Sequence, residues 1–124
     1  MTEAAREWVV TLPYPGPPLT ANQRHHWRAH HRIRAKLLDD ARWLIRAQRI
    51  PPLGRCRVEL HWSPPDRRRR DADNLVPTLK VCADAAMHEG IVGDDTPDLM
   101  VKLMPTIEAP CRPPRLWLVI TALP

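Results

Sequence analysis

Proline decides how this chain can be divided into elements. Fifteen of its 124 residues are proline, most of them in four clusters: Pro13 to Pro18, Pro51-Pro52, Pro64-Pro65 and Pro105 to Pro114. Proline has no backbone N–H and its ring fixes φ, so it neither continues a helix nor sits in a central strand. Each cluster therefore closes one element and opens a connection. Apolar periodicity returns between the clusters, which marks them as punctuation in a folded domain and not as a disordered tract.

Trp8 to Leu12 is a short β-prone run stopped by Pro13, and Pro13 to Asn22 reads as an extended loop. From about Gln23 to Gln48, Trp27, Ile33, Leu37, Leu38, Ala41, Leu44 and Ile45 recur at spacings of three and four, which predicts a helix ended by Pro51-Pro52 and Gly54. Arg55 to Trp62 alternates, with Cys56, Val58, Leu60 and Trp62 on one face, and predicts a half-buried strand. A second helix is expected just after Asp73-Asn74, with Asn74 as N-cap and Pro77 in the first turn. Leu75, Leu79, Cys82, Ala83 and Ala86 line one face of it, and Gly90 stops it. Leu99 to Leu103 and Leu116 to Thr121 predict two further strands across a Pro-rich loop. The order β-α-β-α-β-β predicts one α/β domain, bordering on α+β, over residues 1–124, with a mixed sheet and two main helices.

Composition removes several classes. Phe is absent and five Trp are present, so tryptophan is expected to supply the large core residues. No apolar run approaches the roughly 20 residues of a membrane span, and no signal-peptide core follows the N-terminus. A soluble, cytoplasmic protein with no membrane partner is expected. Cys56, Cys82 and Cys111 are odd in number and form no C-x-x-C pair, which argues against a disulfide framework or a cysteine zinc site.

The chemistry concentrates between Asp66 and Asp98. Arg67 to Arg70 run directly into Asp71-Ala72-Asp73-Asn74-Leu75, followed by Lys80, Asp84, Gly90 and Asp94-Asp95. Carboxylates this close repel unless a cation sits between them, and guanidiniums suit phosphate. This segment holds eight acids against five bases, a net of −3, while the rest of the chain carries +8 of the total +5. An acidic pocket on a basic body suits a metal-dependent enzyme acting on a polyanion.

Asp71-x-Asp73-Asn74-Leu75, then Lys80-x-x-x-Asp84-Ala85, then Gly90-x-x-x-Asp94-Asp95 resembles the RusA family of Holliday-junction resolvases, as do the arginine run and the opening Leu12-Pro13-Tyr14-Pro15. The resemblance covers most of the chain and is sharpest from about Pro65 to Asp95. Lys80 stands further from the Asp-x-Asp-Asn than in the founding pattern and resembles phage-type relatives instead. The resemblance implies a small homodimeric endonuclease, dependent on Mg²⁺ (with Mn²⁺ able to substitute), that nicks paired strands of four-way DNA junctions in recombination, repair or phage DNA processing. It implies Asp71, Asp73 and Asp95 as metal ligands, Lys80 as the catalytic lysine, and Arg67, Arg68, Arg69 and Arg70 as DNA-phosphate contacts.

Two features of geometry bear on those roles. Asp71 and Asp73 are two apart, so in an extended segment they point the same way. Asp95 follows a reversal at Gly90, and the four residues between them are too few to run back along the helix. Bringing Asp95 to the other two therefore needs dimer or sheet geometry.

Each part also has a plainer reading. Asp71 and Asp73 suit turns and caps, Lys80 and Asp84 suit an i,i+4 ion pair, Asp94-Asp95 suits a turn, and the arginines suit a solvated loop. The ordered combination is what points to the nuclease. His26 and His30, four apart and flanked by His25 and His31, have a metal-capable spacing but no completing motif, and suit a basic helix face that contacts DNA. The main alternative is a non-catalytic, basic DNA-binding or regulatory protein. A phosphoryl-transfer enzyme on a small substrate is disfavoured because no Gly-rich phosphate loop is present.

Overall fold

A computed structural model describes residues 6–124. The elements are β1 (Glu7–Leu12), α1 (Trp27–Ala47), β2 (Cys56–Ser63), a single 3₁₀ turn (Ala72–Leu75), α2 (Val76–His88), β3 (Met100–Lys102), β4 (Thr106–Ile107) and β5 (Arg115–Ala122). The sheet runs β1-β5-β2, with β3 and then β4 along the far edge of β2. β5 is antiparallel to both β1 and β2, whereas β3 and β4 lie parallel to β2. The result is a small mixed α+β domain with two helices and a mixed sheet, as the periodicities predict.

The one added strand is β4. Pro105 cannot donate to a ladder, so the edge strand breaks there and resumes for two residues opposite His61 and Trp62. Leu103 N–H donates to Val58 O on one side of the break, and Glu108 N–H to Trp62 O on the other.

Cross-strand register builds the core. Val10, Leu118 and Leu60 stand opposite one another, as do Leu12, Leu116 and Trp62, so alternate residues of three strands share one face. That face joins one apolar cluster with Leu37, Ala41 and Ile45 of α1 and Leu79, Cys82 and Ala86 of α2. The tryptophans depart from expectation. Trp27 and Trp43 are 68% and 61% exposed, and none of the five belongs to the buried core. Leu, Ile, Val, Ala and Cys fill it instead, because two helices lying close over a sheet leave room for small and branched side chains.

The helix ends follow local chemistry. α1 starts at Trp27, about four residues later than expected, because Thr20 to Gln23 close a turn on themselves and the His26 ring accepts from Arg28 N–H as the cap. α2 ends as predicted at Gly90, where φ is +79°. Gly90 N–H reaches Met87 O and Ile91 N–H reaches Ala86 O, a Schellman stop. Burial pushes the Cys82 thiol on α2 up to about 12, which keeps it an inert core residue.

Ion pairs fix how the helices lie. Arg34 meets Asp84 at 2.9 Å, and Arg42 and Arg46 meet Glu89 at 2.8 and 2.7 Å. The ascending order of both partners shows that α1 and α2 run side by side in the same direction, with β2 returning between them. Both helix N-termini therefore sit at the end of the domain where β2 finishes.

Candidate active site

Ser63 ends β2, and the chain then crosses Pro64-Pro65 into Asp66, whose carboxylate organises the arginine run. It accepts from Arg68 N–H at 3.1 Å and from the Arg70 guanidinium at 2.7 Å. Those two donors, Arg68 first, hold its carboxyl below the usual range. Arg70 also donates to the Asp66 and Arg68 carbonyls and lies over the Trp62 ring, 5.0 Å from its centroid. The run is thus not uniform. Arg70, 18% exposed, is bound into the fold, and Arg68 leans 3.5 Å from Asp66. Arg67 and Arg69 are exposed and pair with no carboxylate of the described residues.

Asp71 and Asp73 follow at once, and their geometry corrects two expectations. The N-cap residue of the turn is Asp71, not Asn74: Asn74 N–H donates to Asp71 O, and α2 proper begins one turn later at Val76. Pro77 is the cause, since its missing N–H and fixed φ favour a tight lead-in to the first turn. Asp71 keeps extended dihedrals (φ −100°, ψ 130°), but Asp73 lies inside the 3₁₀ turn, so the two do not share an extended segment. Both are exposed, and neither side chain makes a hydrogen bond or ion pair with any described residue. Four other acids between Asp66 and Asp98 are engaged: Asp84 by Arg34, Glu89 by two arginines, Asp94 by the N–H of Asp95 and Asp95 by Lys102.

Asp95 is elsewhere. After Gly90 the chain tucks Ile91 and Val92 into the core, and Leu53 N–H binds Ile91 O. β3 then pairs from Cys56, the opposite end of β2 from Asp71. Thirteen residues of α2, roughly 20 Å at 1.5 Å each, intervene. Asp95 lies 3.8 Å from Lys102. Among the described residues, no three or more His, Cys, Asp and Glu side chains gather in a way that could hold a metal within one chain. Asp71 and Asp73 supply oxygen donors suited to a hard divalent ion, but only two carboxylates.

Lys80 lies exposed on α2, one turn in. The plainer reading of Lys80, an i,i+4 ion pair with Asp84, does not hold, and Arg34 meets that carboxylate instead. Lys80 instead borders a hollow of about 250 Å³ with His30 and Arg34, and pairs with no described carboxylate. The histidines serve locally: His26 caps α1 and His25 lies 3.2 Å from the Gln23 amide oxygen.

A larger hollow, about 530 Å³, opens beside Asp71 between the loop from Gly16 to Gln23, Trp62 and the start of α2. A residue missed in the sequence holds its wall. Thr78, fully buried in the otherwise apolar α2 seam, donates to Leu19 O at 2.7 Å and accepts from Leu19 N–H at 3.2 Å. Ala21 N–H adds a bond to Asn74 O. The signal was a lone hydroxyl in the buried stripe of a helix, which must find a partner. Trp62, read only as an inward strand residue, packs on Gly16 and donates its indole N–H to Pro15 O at 2.9 Å.

No helix of the described residues is long and apolar enough to cross a membrane. Neither a family model nor a curated protein sequence matches the chain.

Proposed function

We propose that this protein is a metal-dependent endonuclease that nicks branched DNA, a four-way junction first of all, as the resemblance to the RusA family implies. The observation that carries the reading is the pair of unengaged carboxylates, Asp71 and Asp73, beside four arginines that leave both alone. Asp66 takes Arg68 and Arg70, and two carboxylates that no described side chain engages are available to a cation.

Asp71 and Asp73 would hold Mg²⁺ or Mn²⁺. Bound there, the ion supplies charge neutralisation at the scissile phosphate and lowers the pKa of water. Arg67 and Arg69 draw in the DNA backbone and clamp its phosphates. Lys80, a compact cation without a carboxylate partner, stabilises charge building on the phosphate oxygens. A homodimer supplies two sites for paired nicks and is the route by which Asp95 of a second copy completes the ligand set.

A second reading rests on the separation of Asp95 from Asp71 within one chain: a non-catalytic DNA-binding protein that keeps the basic surface alone. One experiment separates the two. An end-labelled junction with an immobile core is incubated with Mg²⁺, Mn²⁺ or EDTA, wild type beside Asp73→Asn. Paired symmetric nicks that need the metal and vanish in a variant still able to bind are expected. Tight, salt-sensitive binding without nicks would replace the nuclease with the binder, and no binding would remove DNA as the partner.

A further inference from the structure

The hollow beside Asp71 is walled by the loop from Gly16 to Gln23, by Trp62 and by the 3₁₀ turn. Its volume of about 530 Å³ lies within the roughly 300–1,000 Å³ of small-ligand sites. Its floor is held by three contacts: the Trp62 indole hydrogen bond, Gly16 against one part of the ring and Arg70 over its face. A Cβ on Gly16 would come within 3.1 Å of that ring, so a larger residue there would push into the floor.

The polar lining has a direction. Asn22 Oδ1 accepts from the Thr20 hydroxyl at 2.8 Å, and Gln23 Oε1 accepts from Thr20 N–H at 3.2 Å. Both amide oxygens are therefore occupied, which leaves both –NH₂ groups as donors. Asn74 has both backbone groups bound, N–H to Asp71 and C=O to Ala21, while its side chain bonds to no described residue. Arg69 brings a further set of donors and no carboxylate neutralises it. A hollow with a rigid aromatic floor, several amide donors and a cation at its rim fits a planar, acceptor-bearing ring linked to an anion.

We infer that this hollow takes one unpaired nucleotide of the branch point, its base edge meeting Asn22, Gln23 and Asn74 and its phosphate meeting Arg69. The inference rests on the branched-DNA reading for its partner. A base inside a duplex cannot enter, because its edge is paired and its faces are stacked. A nucleotide at a crossover has already lost part of its stacking, so extruding it costs less. Asp71 sits at the rim, so seating that nucleotide would set which phosphodiester lies against the two free carboxylates. The hollow is in this sense a positioning site, and it gives the enzyme a reason to choose branched over continuous DNA.

The test is made in EDTA, where nothing is cut. Four-way junctions carry 2-aminopurine at successive positions around the crossover, and its fluorescence is followed as wild-type protein is added. A base drawn out of the DNA stack meets only the part of Trp62 that Gly16 and Arg70 leave open, so its fluorescence rises, and a rise of roughly threefold confined to one or two positions is expected. The rise should fall to near the free-DNA level in the Asn22→Ala/Asn74→Ala double variant. Gln23→Ala, on an exposed loop, should lower it at least twofold and serves if the double variant folds poorly. Junction binding with no rise at any position, or a rise that all variants retain, overturns the pocket inference and leaves the endonuclease reading standing. Absence of junction binding by the wild type overturns both.

Discussion

At the C-terminal end of α2, Glu89 accepts from Arg46 at 2.7 Å and Arg42 at 2.8 Å, is only 8% exposed, and ties the two helices together. At the N-terminal end, Asp71 and Asp73 follow four arginines in sequence and touch none of them. The residue types are the same and the outcomes are opposite. At the Glu89 end the partners come from a different helix, held rigidly at pairing distance. At the Asp71 end, Asp66 takes Arg68 and Arg70, and the 3₁₀ turn carries Asp73 away from the rest. The comparison teaches that charge in a sequence becomes structural or functional according to whether the fold brings it a partner. A carboxylate already neutralised by two guanidiniums has little left for a ligand.

The strongest attempt to break this contrast is Asp71→Asn. Removing one of two free carboxylates should lower junction nicking by about 10³-fold, a loss typical of a catalytic or metal-binding group, with the urea midpoint unchanged. Single-turnover nicking beside urea denaturation checks both halves. A large fall in stability would mean that the Asp71 side chain, and not only its backbone carbonyl, supports the turn.

Next in size is the division within the arginine run. Arg67→Ala/Arg69→Ala should weaken junction binding roughly 10–100-fold and reduce the slope of log K against log salt by about 2, one for each lost phosphate contact. Titrations at several salt concentrations read the slope directly. An unchanged slope would show that the unpaired arginines are only solvated.

Smaller still is Glu89→Gln, which weakens three charged hydrogen bonds from two arginines at the closed end. It should cost about 1–2 kcal/mol of stability and leave nicking unaltered. Chemical denaturation gives the first value and the junction assay the second. If nicking falls as far as stability rises or falls, the two ends of α2 are not independent.

The mildest test uses pH. Arg46, then Arg42, hold the Glu89 carboxyl below its ordinary value of 4.5, so the folded state favours the charged form. The stabilisation is fully present above about pH 4.5 and is lost as pH falls through the depressed folded value. Thermal melts between pH 7 and pH 3 should show this acid limb, and Glu89→Gln should flatten it. Asp66, lowered in the same way by Arg68 and Arg70, adds to the same limb.

Much of the fold was legible because it depends on short-range rules. Alternation from Cys56 to Trp62, the three-four spacing of Leu37, Ala41 and Ile45, and Gly90 as a stop each report backbone geometry within a few residues. Tryptophan failed as a core marker because burial is set by the thickness between layers, not by hydrophobicity alone. The Asn74 cap failed because the lead-in before Pro77 is a separate 3₁₀ turn capped by Asp71, and α2 starts one residue later than expected, at Val76. At the site, residue types were legible and relations were not. No pattern in Arg67 to Asp73 says that Arg70 belongs to Trp62 and Asp66 while Arg69 stays free.

Periodicity, proline and charge are local quantities, and they were enough for the order of the main elements, the mixed α/β character and the segment where acids and bases meet. Only the tertiary structure decided which carboxylates are engaged, that Asp95 lies at the far end of β2, and that a loop anchored by Thr78 walls a hollow beside Asp71. The physical reason is that pairing and cavities depend on distances between segments far apart in the chain. Those distances are fixed by strand register and by how α1 lies on α2, and neither is written in any single stretch of residues.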